Sequence, residues 1–250
     1  MLQNLLVGLL VGFLVTQVAI FATTVYLHRG LAHRALTMKP WLEGVFKTVI
    51  WLSTGMRPRE WVAVHRKHHA FTDEAEDPHS PAQLGWVRVQ LTNAALYRRV
   101  ARDGQSVERY ARDLPVTTAD RLLFDRAFLG LGIGVVGLVL VLGWPAGLVA
   151  SVSHVVLYLG LSGSVNSVAH TFGKRSYDTS ATNLQWLALV TAGEGLHNNH
   201  HAAPTSARFS LNGHELDPAW RPIRLMERLG WLTVRHETPK FVVPQRTVAG

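Results

Sequence analysis

The chain has 250 residues, 48% of them hydrophobic and only 17% charged, against about 25% charged in a typical soluble domain. It contains no cysteine, which excludes disulfides, thiolate-bound zinc, iron–sulfur clusters and thiol catalysis. The net charge of +8 points to anionic partners such as lipid headgroups, a phosphate-bearing substrate or an acidic protein; nucleic acid is set aside, because the basic residues are interleaved with apolar sequence and no reader motif occurs.

The charges are badly mixed along the chain. Residues 1–28 and 127–173 carry no Asp, Glu, Lys or Arg, so every basic residue falls in two blocks, Arg29 to Arg126 and Lys174 to Arg246. The first apolar tract, 5–27, is long enough to span about 30 Å of hydrocarbon, and it lacks the basic start of a cleaved signal peptide. Residues 41–56 form a shorter apolar stretch interrupted by Glu43 and Lys47, which predicts an interfacial helix rather than a span. A polar insert follows over 57–121. Two more spans are predicted at 122–142 and 146–165, joined by Gly143-Trp144-Pro145 as a tight hairpin with Trp144 at the membrane surface. A second polar insert, 171–250, reads as short helices and loops.

Three spans with a flat 41–56 helix place the N-terminus outside and all Lys and Arg on the cytoplasmic side, as the positive-inside rule requires. The predicted fold is therefore all-α: one integral membrane domain over 1–250, with a cytoplasmic helical cap that gathers the histidines.

Of the 13 histidines, nine are patterned. His28 and His33 close the first span as H-x4-H. His65, His68 and His69 form H-x2-H-H, His170 ends the hairpin, and His197, His200 and His201 form a second H-x2-H-H. On a helix, i, i+3 and i+4 share one face, so each H-x2-H-H presents three imidazoles together; i and i+4 can grip one metal while i+3 reaches a neighbouring one. Five residues turn a helix by about 140° beyond a full circle, so H-x4-H predicts unwinding near Gly30 to bring His33 back toward His28.

So many imidazoles packed together cannot all be protonated, and a metal stabilises the neutral, ligating form. Imidazole suits zinc, copper, iron and nickel, but a structural zinc takes only about four ligands. Nine suffice for two metals with positions left for oxygen and substrate, and iron is the natural occupant for dioxygen chemistry. Asp73, Asp77, His79 and Glu194 lie beside the boxes as candidates to orient ligand rings. Trp61, four residues before His65, is expected to pack beside the site. His154, His214 and His236 stand alone and read as structural, while Thr16 and Gln17, mid-span, are expected to bond to neighbouring helices.

HRGLAH, HRKHHAFTDEAEDPH, NSVAH followed by TFGKRSYD, and GEGLHNNHH together resemble the membrane fatty acid desaturases of the delta-9, stearoyl-CoA (acyl-CoA) type, over about 28–204. That resemblance implies two irons, with dioxygen as co-substrate. One iron would take His28, His33, His65, His69 and His200. The other would take His68, His170, His197 and His201, with Asn166 holding a water. It implies a cis double bond introduced into a fatty acyl chain lying in a bent apolar tunnel.

It also implies a separate electron donor, such as ferredoxin, rubredoxin or cytochrome b5 with its reductase, since the chain has no cluster cysteines and no dinucleotide-binding glycine pattern. Ala63-Val64 and Gln90-Leu91 stand where acyl-CoA desaturases carry groups that hold the CoA, so the acyl carrier is CoA or a membrane lipid. A related membrane di-iron hydroxylase or ketolase, or a membrane metal- or haem-binding protein, are the alternative readings.

Overall fold

The computed structural model describes residues 1–236 and 238–246, so the expected 171–250 insert lies outside the description at 237 and 247–250. The chain is mostly helical. Helix α1, Leu2–Ala22, runs without a break into a π-helical segment, Thr23–Ala32. Strand β1 (Leu36–Met38) precedes α2 (Pro40–Ser53), α3 (Pro58–Ala70), α4 (Pro81–Leu84), α5 (Trp86–Ala101) and α6 (Gly104–Ala111). A π turn, Asp120–Phe124, leads to α7 (Ala127–Leu142) and α8 (Trp144–Ser167), which a 3-10 turn extends to His170. Helices α9 (Gln185–Val190), α10 (His197–Ala202) and α11 (Trp220–Arg228) and strand β2 (Leu232–Val234) complete it.

Two of these helices are long and apolar enough to cross a membrane: Leu2–Ala32 at mean hydropathy 2.5 and Trp144–His170 at 1.6. The third expected span is shorter than 122–142. Its helix begins at Ala127; the Asp125 carbonyl ahead of it accepts from the Arg57 guanidinium, and the Arg126 carbonyl accepts both the first helical amides and the Trp51 indole. That leaves 16 residues, about 24 Å of helix.

Helix α1 packs along α8 through glycine. A Cβ at Gly8 would come within 2.6 Å of Val149, and one at Gly12 within 2.6 Å of the Ala150 carbonyl. Polar groups inside this interface are paired. His154 Nε2 donates to the Ser53 carbonyl at 2.8 Å, and Nδ1 lies 3.0 Å from the Thr16 hydroxyl, whose proton faces the Gly12 carbonyl at 2.8 Å, so one ring ties α1, α8 and the end of α2. Gln17 donates to the Val190 carbonyl. Trp144 is 69% exposed at the start of α8.

The fold is not wholly helical. Strands β1 and β2 pair antiparallel, Leu36 opposite Val234 and Met38 opposite Leu232. Their alternating buried and exposed residues fit a two-stranded ribbon, but three residues carry too short a period to be read in sequence.

Candidate metal centre

Four segments converge on one point: the π segment, α3, the 3-10 turn after α8, and α10. The π segment corrects the expected unwinding at Gly30. The chain stays helical there but widens to i→i+5 hydrogen bonds, with the His33 amide donating to the His28 carbonyl at 3.1 Å. Residues five apart thus lie nearly above one another, and the His28 and His33 rings sit 5.0 Å apart, centre to centre.

The nine patterned histidines gather in two adjoining groups. In one, nitrogens of His28, His33, His65, His69 and His200 lie within 4.8 Å of one another; in the other, those of His68, His170, His197 and His201 do. In α3 and again in α10, the i and i+4 rings share a group and the i+3 ring falls in the other. The Nε2 atoms point inward and face each other at 2.7 Å (His33 to His65), 2.9 Å (His69 to His200), 3.0 Å (His28 to His200), 3.2 Å (His197 to His201) and 3.3 Å (His68 to His201).

The outer nitrogens of three rings are taken by carboxylates. His28 Nδ1 meets Glu194 at 2.7 Å, His68 Nδ1 meets both oxygens of Asp77 at 3.0 Å, and His170 Nδ1 meets Asp73 at 2.9 Å. A carboxylate on Nδ1 selects the tautomer whose Nε2 carries a lone pair, and it turns that lone pair inward. The buried His170 Nε2 has no hydrogen-bond partner among the described residues. Burial, then the other rings, hold the pKa values of His33, His65, His69, His197, His200 and His201 well below the usual 6.5. Neutral lone pairs converging in two pockets are the donor set that one or two nitrogen-loving divalent cations need, so the residues fit a metal.

The carboxylates are themselves held ionised. Burial would raise Asp73, Asp77 and Glu194, but the histidines they face outweigh it and pull all three below their ordinary values. Asp73 adopts φ 62°, in the left-handed region that Asp tolerates better than most residues, and also accepts from Ser80. His79 stacks on His68 at 4.7 Å and forms a third tight set with His68 and Asp77; burial lowers its pKa to about 3, and neither ring nitrogen has a partner among the described residues. Trp61 stacks on His65 at 4.9 Å. Asn166 donates to Asn93 at 3.0 Å and lines the cavity described below. His214 and His236 belong to neither group.

Sequence reasoning missed the frame that clamps these segments. Arg29, next to His28, is fully buried and donates to Thr24, to the carbonyls of Ala192 and Ala207, and through both Nη atoms to Asp217 at 2.9 and 3.0 Å. Gly193, at φ 101°, lies against this pair, and a Cβ there would stand 2.7 Å from an Arg29 nitrogen. Asn198 and Asn199 lie between the α10 histidines and are equally buried. Asn198 holds the 176–181 backbone, while Asn199 donates to Phe209 and Glu215. The available signal was polar residues wedged between histidines on so short a helix.

A cavity of about 440 Å³ reaches this centre. His28, His65, His197 and Asn166 lie on its wall, and Ile20, Leu131, Tyr158 and Leu161 line it further along. That size is within the range of small-molecule sites, and the lining mixes an apolar channel with a few convergent polar groups.

The model of one protein family, fatty acid desaturase, matches residues 4–238. The delta-9 acyl-lipid desaturase 1 of Arabidopsis thaliana is 34% identical over 90% of this chain and 74% of its own length. The sn-2 palmitoyl-lipid 9-desaturase of Nostoc sp. is 36% identical over 81% of this chain and 72% of its own. The acyl-CoA C20 Delta5-desaturase of Anemone leveillei is 34% identical, covering 86% and 69%.

Proposed function

The chain belongs to the fatty acid desaturase family and is an oxidoreductase acting on a fatty acyl chain, and from that premise we propose that it introduces a cis double bond, delta-9-like, at a non-haem di-iron centre with dioxygen as co-substrate. The observation that carries this reading is the pair of adjoining histidine groups on the wall of a cavity that is otherwise largely apolar. His28, His33, His65, His69 and His200 would hold one iron; His68, His170, His197 and His201 would hold the other, with Asn166 placing a water. With irons bound, such a centre supplies reduction of dioxygen and removal of two hydrogens from adjacent methylenes.

The chain's own residues do the rest. Asp73, Asp77 and Glu194 fix the tautomers of His170, His68 and His28 and keep their ring planes from turning. His79 and Trp61 pack the outer faces of His68 and His65 and keep water from them. The apolar lining holds the acyl chain still, so that one methylene pair among many lies beside the histidines; that positioning is the source of regioselectivity.

The carrier is CoA or a membrane lipid, and the relatives' names include both. Reducing equivalents come from a separate protein, such as a ferredoxin, a rubredoxin or cytochrome b5 with its reductase. The chain sits as one membrane domain with its N-terminus outside and its histidines on the cytoplasmic side, among lipids.

Expression in a host lacking the activity, followed by analysis of acyl double bonds, tests the reading. New double bonds and about two irons per purified chain are expected. New hydroxyl groups instead of double bonds, or one firmly held zinc, would sink it.

A further inference from the structure

This inference rests on the desaturase reading and concerns how the acyl chain reaches the cavity. We propose that it enters sideways from the bilayer, through a cleft between α5 and α7, while still attached to a phospholipid whose phosphate is held by Arg98 and Arg102.

The cavity reaches the surface where its lining is exposed, and only four described lining residues are: Arg98, Arg102, Phe128 and Leu159. One lip is therefore cationic and the other apolar. The arginines sit one turn apart, Arg98 in the last turn of α5 and Arg102 at its C-cap. Neither guanidinium has an ion pair or a side-chain hydrogen bond among the described residues, whereas Arg57, Arg59 and Arg66 nearby are each paired to a carboxylate. The opposite lip is 86% exposed Phe128 in the first turn of α7 and 46% exposed Leu159 on α8. Beyond it the outer face of α7 stays apolar and exposed through Ile133, Val136 and Leu140, so this lip opens onto a lipid-facing surface. A phospholipid has the matching order of groups: an anion at the interface and an acyl chain beside it.

Two further observations favour a lipid over a nucleotide carrier. Gln90, where the resemblance expects a base for CoA, is turned inward: it donates to the Gly160 carbonyl and accepts from Ser164 and Ser167, while Leu91 beside it is 79% exposed. The hydroxyl of Tyr97, next to Arg98 on the cavity wall, is buried with no partner among the described residues. A lone buried donor there fits the ester carbonyl that follows the phosphate into the cleft.

Full-length protein in nanodiscs is irradiated with a phosphatidylglycerol carrying a mid-chain diazirine and, in parallel, with the corresponding diazirine acyl-CoA. The phospholipid is expected to label peptides containing Tyr97 and Phe128. Arg98→Ala/Arg102→Ala should weaken that labelling about tenfold, with melting temperature and metal content unchanged. Phe128→Glu should weaken it as well, from the other lip. Phospholipid labelling indifferent to both variants, or acyl-CoA labelling these peptides in preference to the lipid, overturns the proposal. The readout needs no turnover. A chain that labels as expected but yields no double bonds when iron-loaded contradicts the desaturase reading and leaves the entrance standing.

Discussion

The Arg29–Asp217 pair is a completely buried ion pair on which several segments of this fold depend. All five guanidinium hydrogens are used: one on Thr24, two on the carbonyls of Ala192 and Ala207, and two on Asp217. Both side chains are completely buried, and the Arg29 guanidinium also lies 3.8 Å over the Phe209 ring. Asp217→Ala removes the countercharge and two acceptors from Arg29, and it also orphans the amides of Phe209 and Ala219 that Asp217 accepts from. Leaving a buried charge without its partner costs about 3–5 kcal/mol. For a chain of this size that corresponds to a fall in melting temperature of about 10 °C.

The pair joins the residue after His28 to the segment between α10 and α11, and the same guanidinium holds the Ala192 carbonyl ahead of α10, so the two histidine segments should separate as it fails. Thermal unfolding of the purified protein in detergent, with metal content measured on the same samples, reads both effects. Arg29→Met, Asp217→Ala and the double variant complete a cycle whose coupling should exceed about 2 kcal/mol. A single-variant loss below about 1 kcal/mol, or additive effects in the double variant, would refute the reasoning.

Glu194→Gln keeps the shape but loses the charge on His28 Nδ1, and should lower metal affinity or activity about 10- to 100-fold while the fold survives; unchanged metal content and turnover would count against the role given to Glu194. Gly12→Leu drives a side chain into the Ala150 backbone and should destabilise the α1–α8 packing by more than about 1–3 kcal/mol, whereas Gly44→Ala, where a Cβ meets nothing, should not. Thr16→Val removes the hydroxyl that faces His154 Nδ1 and should cost about 0.6 kcal/mol, within reach of a denaturation series in detergent.

Metal-free protein should lose stability as pH falls. The six histidines with lowered pKa values stay neutral in the fold, while in the unfolded chain they take protons near 6.5, so below that pH unfolding gains up to about 1.4 kcal/mol per histidine per pH unit. A flat melting temperature between about pH 7.5 and 5.5 would contradict this.

Much of the protein is legible in one dimension because its strongest signals are local. The charge-free tracts 1–28 and 127–173 mark most of Leu2–Ala32 and all of Trp144–His170 as apolar, since hydropathy sums over consecutive residues. The i, i+3, i+4 spacing of His65, His68 and His69, and of His197, His200 and His201, sends two rings one way and the third the other, because helical rotation is a property of neighbours. What depends on partners far along the chain was not legible. The π widening that stacks His33 over His28 needs the surrounding packing, and the start of α7 lies where the Arg57 guanidinium, far back in the chain, holds the Asp125 carbonyl. The pairing of Leu36–Met38 with Leu232–Val234 and the Arg29–Asp217 clamp join segments that no period or motif connects. Local pattern thus determined which side chains could face a metal. The tertiary structure decided how they are held, because a buried charge or an unpaired strand finds its partner only when the chain is folded.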